Sequence, residues 1–348
     1  MGKKSVDPFK FLRKAEYILL IAIPFLIYFF YHGNHQQKEA VDEYADKKVI
    51  SLPDEDVAVV FDEKVFFMME KMIREAKKTI FISTYTIKNN RLMKMLEKKN
   101  DEGVKVTLAY GKSKDNYRPS FSLGAVAKKY GLFHAKFIVT DSKNVLITSA
   151  NLGSGSNAVN NAVFFKNAPN ASEILEKEVR DAVNGKLPKR CSKGCKTEIG
   201  KIFFTPGKAC VNIKAEFLKA QKKIEGAIYT VTTKNPVVTG LKNVLRKKEV
   251  PVKLIVDNWQ GDGNRIVNNK AVNYFRSLGA QVKYDDKVLK KDLLFHHKFA
   301  VVDEKITVFG SLNWTSSGCY GNREIVVINK DEKIAGRFSE YFATIWKD

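Results

Sequence analysis

Two stretches of the chain carry the same chemistry-bearing residues at the same spacing. The first reads His134-Ala-Lys136-Phe-Ile-Val-Thr-Asp141, then Thr148-Ser149-Ala-Asn151. The second reads His296-His-Lys298-Phe-Ala-Val-Val-Asp303, then Gly310-Ser311-Leu-Asn313. One His-x-Lys-x4-Asp alone is weak evidence, because lysine is abundant in this chain and a lone histidine before a strand is usually structural. Two copies in register, each followed by Ser-x-Asn at one offset, are a strong signal. Of the five histidines, His32 and His35 sit beside an N-terminal apolar run; the other three, His134, His296 and His297, all fall inside the motifs.

These residue types point to phosphate chemistry. Two imidazoles provide one group able to attack and one able to donate a proton. Two lysines place fixed positive charge where a phosphoryl group spreads negative charge in its transition state. Serine and asparagine add neutral donors for the remaining oxygens. The set reads as a phosphate trap that needs neither a metal nor a cofactor. Its candidate catalytic residues are His134, Lys136, Asp141, Ser149, Asn151, His296, Lys298, Asp303, Ser311 and Asn313. On an extended strand the His and Lys, two apart, face one side, whereas His297 alternates to the other and reads as structural.

The elements that must position them also come twice. VVFDEKVFFMMEKMIREAKKTIFISTYTI, from Val59, and FFTPGKACVNIKAEFLKAQKKIEGAIYTV, from Phe203, align without a gap, with Ala76, Tyr85 and Thr86 matching Ala220, Tyr229 and Thr230. Each pass runs from a strand-like opening into a helix with apolar residues at helical spacing and then a second β-rich run. A further helix follows (Arg91–Asn100; Val238–Lys248), then a buried-strand pattern (Val104–Tyr110; Val250–Val256). Alternation of strands and helices predicts an α/β fold with mixed sheets in two related halves, residues 56–190 and 191–348, about a pseudo-two-fold. The second half carries an extra stretch, Asn258–Gln281.

Composition narrows the class of partner. Lys and Arg number 60 against 38 Asp and Glu, a net charge of +22, which attracts polyanions such as nucleic acid or an anionic lipid surface. Four cysteines, Cys191, Cys195, Cys210 and Cys319, are too few for a disulfide scaffold. Cys191, Cys195 and Cys210 lack a nearby histidine to complete a zinc pattern, so a local disulfide or free thiols are expected. Cys319, six residues beyond Asn313, is a candidate for the site mouth. Trp259 and Trp314 read as core residues rather than stacking platforms.

Residues 17–31 (YILLIAIPFLIYFFY) form an uncharged apolar run, preceded by Lys3, Lys4, Lys10, Arg13 and Lys14. The positive-inside rule predicts a single-pass anchor over residues 1–32, with the N-terminus cytoplasmic and the body on the outer side. A cleaved signal peptide, giving a secreted body, is the competing reading. Residues 33–55 read as a polar linker.

The paired His-x-Lys-x4-Asp and Gly-Ser-x-Asn motifs resemble those of the phospholipase D superfamily, over roughly residues 56–348. The second half is particularly similar to the bacterial endonucleases and mitochondrial cardiolipin hydrolases of that superfamily. The resemblance implies two α/β halves about a pseudo-dyad with one site at their junction. It implies that one histidine becomes phosphorylated while the other protonates the leaving group and then activates water, without a metal. It also implies that a downstream acidic residue, Glu324 in the second half, orients the histidine of the opposite half. Thr148 stands where the family has Gly, and Asn161 is read as the first-half counterpart of Glu324. On that reading Glu324 serves His134, the nucleophile, and Asn161 serves His296, the general acid.

Relatives with one motif assemble the site from two chains; with both motifs in one chain, this protein is expected to be a monomer. Three functions remain open to the sequence: a phospholipase D-type hydrolase acting on phospholipid, an endonuclease cutting DNA or RNA at the same site, and an inactive polyanion-binding membrane protein. Specificity is expected in the loops Gly111–Tyr130 and Asn258–Gln281.

Overall fold

The duplication in the sequence is a duplication in the fold. The computed structural model describes residues 55–87, 90–111, 132–152, 158–186, 188–247, 249–258, 264–285 and 293–347. The apolar run 17–31, nearly all of the linker 33–55, the loop 112–130 and Trp259 lie outside the described residues. Among the described residues no helix is long and apolar enough to cross a membrane.

The first half comprises β1(Val57–Phe61), α1(Glu63–Glu75), β2(Thr79–Thr84), α2(Asn90–Asp101), β3(Lys105–Tyr110), β4(Phe137–Thr140), β5(Asn144–Thr148), β6(Ala158–Val159), β7(Asn161–Phe165) and α3(Pro169–Val183). The second comprises β8(Cys195–Thr197), β9(Gly200–Phe204), α4(Ala209–Phe217), β10(Ile224–Ile228), α5(Pro236–Lys247), β11(Val252–Val256), α6(Asn264–Ser277), β12(Gln281–Tyr284), β13(Leu294–Phe295), β14(Lys298–Val302), β15(Ile306–Gly310), α7(Ser316–Tyr320), β16(Ile325–Asn329) and α8(Glu332–Lys347). The predicted helices appear within two residues of their expected bounds. Strand β11 starts later than the apolar pattern, because Pro251 has no N–H to give to a ladder. The extra stretch of the second half becomes helix α6 and leads into edge strand β12.

The strand orders are β1-β7-β5-β4-β2-β3 in a six-stranded sheet and β12-β11-β10-β14-β15-β16-β9-β8 in an eight-stranded one. Both are mixed: β2 runs parallel to β3, and β10 to β11, while the motif strands β4 and β14 pair antiparallel with both neighbours. Alternation along those strands divides the core. Phe137 and Val139 of β4, with Phe299 and Val301 of β14, enter one layer shared by the two halves. Ile138 faces the outer layer of the first half, and Ala300 and Val302 that of the second. Helices α3 and α8 complete the shared layer with Leu175 and Val179, and with Ile334, Phe338 and Phe342, at helical spacing. Each such side chain contributes about 1.5–3 kcal/mol by burial. A common core of this kind holds the halves in fixed register, which a site built from both requires.

All four cysteines are paired. Cys191 bonds Cys195 in a local bridge, and Cys210 of α4 bonds Cys319 of α7 across 109 residues. The second pairing corrects the reading of Cys319 as a residue of the site mouth: it is buried at 1 % exposure beside α4. Closing a loop of that length removes much unfolded-chain entropy. Reduction, or paired Cys210→Ala and Cys319→Ala, is expected to cost about 4 kcal/mol; denaturant titration with and without reductant measures it. His297 lies in the shared core among Phe295, Phe299 and Tyr341, and Trp314 packs edge-on to Phe217.

Candidate active site

Each motif lies where a central strand begins. Lys136 directly precedes β4 and Lys298 opens β14, so the imidazole and ammonium of each copy emerge together at the strand's start. The motif aspartates sit at the opposite strand ends. Asp141 accepts N–H bonds from Lys77, Lys78 and Thr79 at 2.7–3.1 Å, and Asp303 from Gln221, Lys222 and Lys223 at 2.8–2.9 Å. Both adopt left-handed backbone, with φ of 54° and 55°. They clasp the turn that ends the motif strand to the chain entering its neighbour, β2 or β10. Asp141 and Asp303, expected among the catalytic groups, are therefore anchors remote from the histidines.

The site is assembled by exchange between the halves. The N–H of His134 donates to the carbonyl of Arg323 at 2.8 Å, and Arg323 N–H to the carbonyl of Leu132 at 2.7 Å. Reciprocally, the N–H of His296 donates to the carbonyl of Val159 at 2.9 Å, and β13 pairs parallel with β6. Each histidine thus hangs on the segment that follows the Ser-x-Asn motif of the other half.

That exchange sets the imidazole partners. Nδ1 of His134 meets Oε2 of Glu324 at 2.7 Å, and Nδ1 of His296 meets Oδ1 of Asn160 at 3.0 Å. The Asn160 amide nitrogen donates to Ala158, which turns its oxygen toward the ring. With Nδ1–H donated in each case, Nε2 of both rings carries the lone pair. Behind the partners stand the motif serines. Ser311 Oγ donates to Glu324 Oε2 at 2.6 Å and Ser149 Oγ to Asn160 Oδ1 at 3.0 Å, and each hydroxyl accepts a backbone N–H, from Ile325 and Asn161 respectively. The serines thus orient the partners of the histidines and are not free donors for a substrate. This equivalence corrects the expected counterpart of Glu324. It is Asn160; Asn161 matches Ile325 in the ladder, and its side-chain oxygen accepts the N–H of Lys298 at 2.9 Å.

Lys136 and Lys298 are buried, each ammonium donating to the carbonyl of its own motif histidine at 2.9 and 3.0 Å. Lys298 also lies 4.9 Å from the ring centroid of Tyr229. Tyr229 packs 4.8 Å from His296 and Tyr85 5.5 Å from His134. These tyrosines, matched in the repeat alignment, carried no role in the sequence reading. Asn151 and Asn313 follow the serines at the half-buried edge of the site.

Burial sets the charge state. Desolvation lowers Lys136 to about 7, against the opposing pull of Glu324. Lys298 is driven well below the usual lysine value by burial and then by Lys136. Burial likewise lowers His134, with Glu324 working against it. His296 falls well below the usual imidazole value through burial first, then the charges of Lys298 and Lys136. It has no carboxylate to offset them. Burial and mutual repulsion thus disfavour the charged form of all four groups, and an entering anion would relieve both effects.

One further device lay outside the sequence reading. The Arg323 guanidinium forms a two-pronged ion pair with Glu178 of α3, Nε to Oε1 at 2.7 Å and Nη2 to Oε2 at 2.8 Å, both residues fully buried. It fixes the segment carrying Glu324 to the first half. A lone arginine beside a candidate carboxylate was the signal for it.

Known proteins bear out the fold. The profile described as "Cardiolipin synthase, PLD-like domain" matches residues 69–182 and 213–346, more than half of the chain. Mitochondrial cardiolipin hydrolase of Canis lupus familiaris is 33% identical over 132 residues, 38% of this chain and 48% of that protein. That of Chlamydomonas reinhardtii is 28% identical over 165 residues, 46% of this chain and 69% of the relative. The chain spans about half the length of the animal relatives it matches. The phosphatidylserine synthase structure from Haemophilus influenzae Rd KW20 superposes with a TM-score of 0.65 over 86% of this chain and 87% of that one; at 12% identity it speaks to fold alone. With the profile spanning both halves, the chain belongs to the phospholipase D superfamily, within the family of cardiolipin synthase PLD-like domains.

Proposed function

We propose that the protein hydrolyses phospholipid phosphodiester bonds through a phosphohistidine on His134, with His296 as general acid and then general base. The asymmetry of the imidazole partners carries this reading. A phosphorylated imidazole that keeps its Nδ1 proton is a cation, and Glu324, 2.7 Å from His134, supplies the countercharge. His296 has only a neutral amide, so its imidazolium gives up a proton readily, as an acid should.

In the first step Nε2 of His134 attacks phosphorus, the phosphorus–oxygen bond to the leaving alcohol breaks, and that oxygen takes the proton from Nε2 of His296. In the second, water gives a proton to His296 and attacks phosphorus. The phosphorus–nitrogen bond breaks, leaving a phosphomonoester and a free His134. Lys136 and Lys298, protonated once the anion enters, face the charge on the non-bridging oxygens.

Lipid is the preferred substrate class because the relatives matched over part of their length are named for cardiolipin. The expected anchor over 17–31 would hold the site beside a membrane, and the two disulfides suit a body exposed to an oxidising compartment. The net charge of +22 favours the second reading, an endonuclease. The deciding assay incubates the full chain, in detergent with EDTA, with cardiolipin-containing vesicles, single-stranded DNA and RNA, beside His134→Ala. Lipid cleavage absent from the variant supports the proposal; cleavage of nucleic acid alone would replace it.

The depressed pKa of His296 has a kinetic consequence. A general acid with a lowered pKa loses its proton early, so kcat/KM falls as pH rises through values on the acid side of neutrality. Asn160→Asp adds the missing carboxylate and is expected to move that alkaline limb upward by about 1 unit or more. An unmoved limb in the pH profile of an active Asn160→Asp enzyme would remove His296 from the role of acid.

A further inference from the structure

His297, a fully buried imidazole that the mechanism leaves unused, belongs to a string of hydrogen bonds reaching both halves. Its Nε2 lies 2.9 Å from the hydroxyl of Tyr341 in α8, and that hydroxyl donates to Oδ1 of Asp62 at 2.8 Å. The one hydroxyl proton is committed to the carboxylate, so Nε2–H of His297 donates to the tyrosine oxygen. Nδ1 then carries a lone pair, buried and without a hydrogen-bond partner among the described residues. Tyr341 thus orients the ring at the expense of its other nitrogen. Burial, and then the charge of Asp62, hold Tyr341 well above the usual phenol value, so it keeps the proton this string needs.

Asp62 follows β1 and stands at the N-terminal cap of α1. Aspartate is favoured at such a position because its carboxylate accepts the first free N–H groups of the helix. Here the side chain makes no cap bond and reaches Tyr341 instead. The backbone is also held in the left-handed region, at φ 57°, a strain that needs a compensating role. From that conformation the Asp62 N–H donates to the carbonyl of Asn160 at 2.8 Å. Asn160 is the residue whose Oδ1 meets Nδ1 of His296. The string therefore closes behind His296: one end is the next residue, and the other holds that histidine's partner. Phe61 stacks flat on the Tyr341 ring, centroids 3.7 Å apart, and fixes the middle.

Among the described residues His134 has no equivalent string. Ala135 stands where the second motif has His297. The ladders put Phe61 opposite Asn161 and Phe204 opposite Ile325, which makes Thr205 the counterpart of Asp62. Thr205 N–H likewise donates to the carbonyl of Glu324, at 3.1 Å. Its hydroxyl, however, bonds locally, accepting the Glu324 N–H and donating to the Asn322 carbonyl. Duplication alone therefore does not account for Asp62 and His297. They occur only where the imidazole partner is a neutral amide, which draws the ring less strongly than the Glu324 carboxylate draws His134. Resting on the reading of His296 as general acid, we infer that Tyr341, Asp62 and His297 are positioning residues for that acid. They hold Asn160 against Nδ1 of His296, so that Nε2 aims its proton at the leaving oxygen.

Tyr341→Phe in the full chain tests this, since it removes the hydroxyl and keeps the ring on Phe61. A misaimed acid slows only those departures that need a proton. The variant is expected to lose about tenfold in kcat/KM on cardiolipin-containing vesicles, where the leaving group is an alkoxide, and to keep its kcat/KM on bis(p-nitrophenyl) phosphate. Asp62→Gly, which suits φ 57°, removes the carboxylate without disturbing the aromatic stack and should show the same split. Asp62→Asn keeps an acceptor for Tyr341 and should retain about half or more of the wild-type value on vesicles. Equal losses on both substrates, or no loss on either, overturn the inference and leave the string a structural strut. His296→Asn, run beside them, separates the two readings. A loss confined to alkoxide leaving groups upholds the acid, whereas equal losses remove it and the positioning role with it. Should the wild-type chain cleave single-stranded DNA in place of lipid, an oligonucleotide also loses an alkoxide, and the same split decides the inference while the lipid reading fails.

Discussion

His134→Ala is expected to lower kcat/KM on phospholipid by at least about 10⁴-fold, because it removes the atom that forms the covalent bond to phosphorus. His296→Asn should behave differently in a way that identifies each role. On a natural lipid the leaving alkoxide needs a proton, and the rate should fall by a comparable factor. On bis(p-nitrophenyl) phosphate the leaving group departs without one, so the first step proceeds. Hydrolysis of the intermediate, which needs His296 to deprotonate water, then stalls. The expected result is a burst of one nitrophenolate per site followed by a slow phase, with the remaining nitrophenylphosphoryl group recovered on His134. Phosphate on His296 in an active His134→Asn variant would reverse the assignment and leave the Glu324–His134 contact with the general acid instead. Glu324→Gln provides the intermediate case. It keeps a hydrogen bond to Nδ1 but withdraws the countercharge of the phosphoimidazolium, so formation of the phosphoenzyme should slow by about 10²–10³-fold.

The second large effect concerns stability and activity in opposite directions. Lys136 is fully buried, and its pKa falls from 10.5 to about 7 on folding. The unfolded chain keeps that proton up to pH 10.5 while the folded chain sheds it near 7. Between those values the unfolded state binds more protons, and stability rises with pH. The penalty is therefore fully present below pH 7, relaxes through the interval and is gone above pH 10.5. Its ceiling is about 5 kcal/mol. Glu324 loses a cationic neighbour when the lysine is removed, which returns part of the gain. Lys136→Met is accordingly expected to stabilise the protein by about 1–4 kcal/mol below pH 7, with the advantage shrinking toward pH 10. Activity should fall by about 10²–10³-fold, as on loss of one charged donor to a transition state. Urea titrations of both proteins at pH 6, 8 and 9.5 measure the first, and vesicle assays the second. A variant less stable than the wild type at pH 6 would mean that the ammonium is better solvated in the folded protein than its burial indicates.

Glu178→Gln would probe what secures this arrangement. The Arg323–Glu178 pair is buried and two-pronged, so removing one charge leaves the other uncompensated. Among the described residues, only the Glu324 side of the site has such a brace. The corresponding contact on the His296 side comes from Val159, whose side chain carries no charge.

What the sequence determined by itself is whatever depends on near neighbours along the chain. The spacing of His134 and Lys136, and of His296 and Lys298, sets each pair at the start of one strand, because strand geometry repeats every two residues. The apolar runs that follow mark those strands as buried, and the helical spacing of apolar residues marks the helices between them. The duplication showed through the same local patterns, and so did the two-half α/β architecture.

Tertiary structure decided whatever depends on residues far apart. Glu324 meets His134 across 190 positions, and Asn160 meets His296 across 136. The sequence reading set Asn161 opposite Glu324, whereas the ladder puts Asn160 there. The interval from serine to partner is 13 residues in the second half and 11 in the first, so only the β-ladder shows which side chains are equivalent. The aspartates and serines looked catalytic because they recur with the histidines. Three-dimensional contacts place the aspartates at the far strand ends as clasps and the serines behind the partners. A repeat preserves anchors and reactive groups alike, since both keep the same geometry. Hydrogen-bond partners and burial, which only the packed fold supplies, separate one from the other.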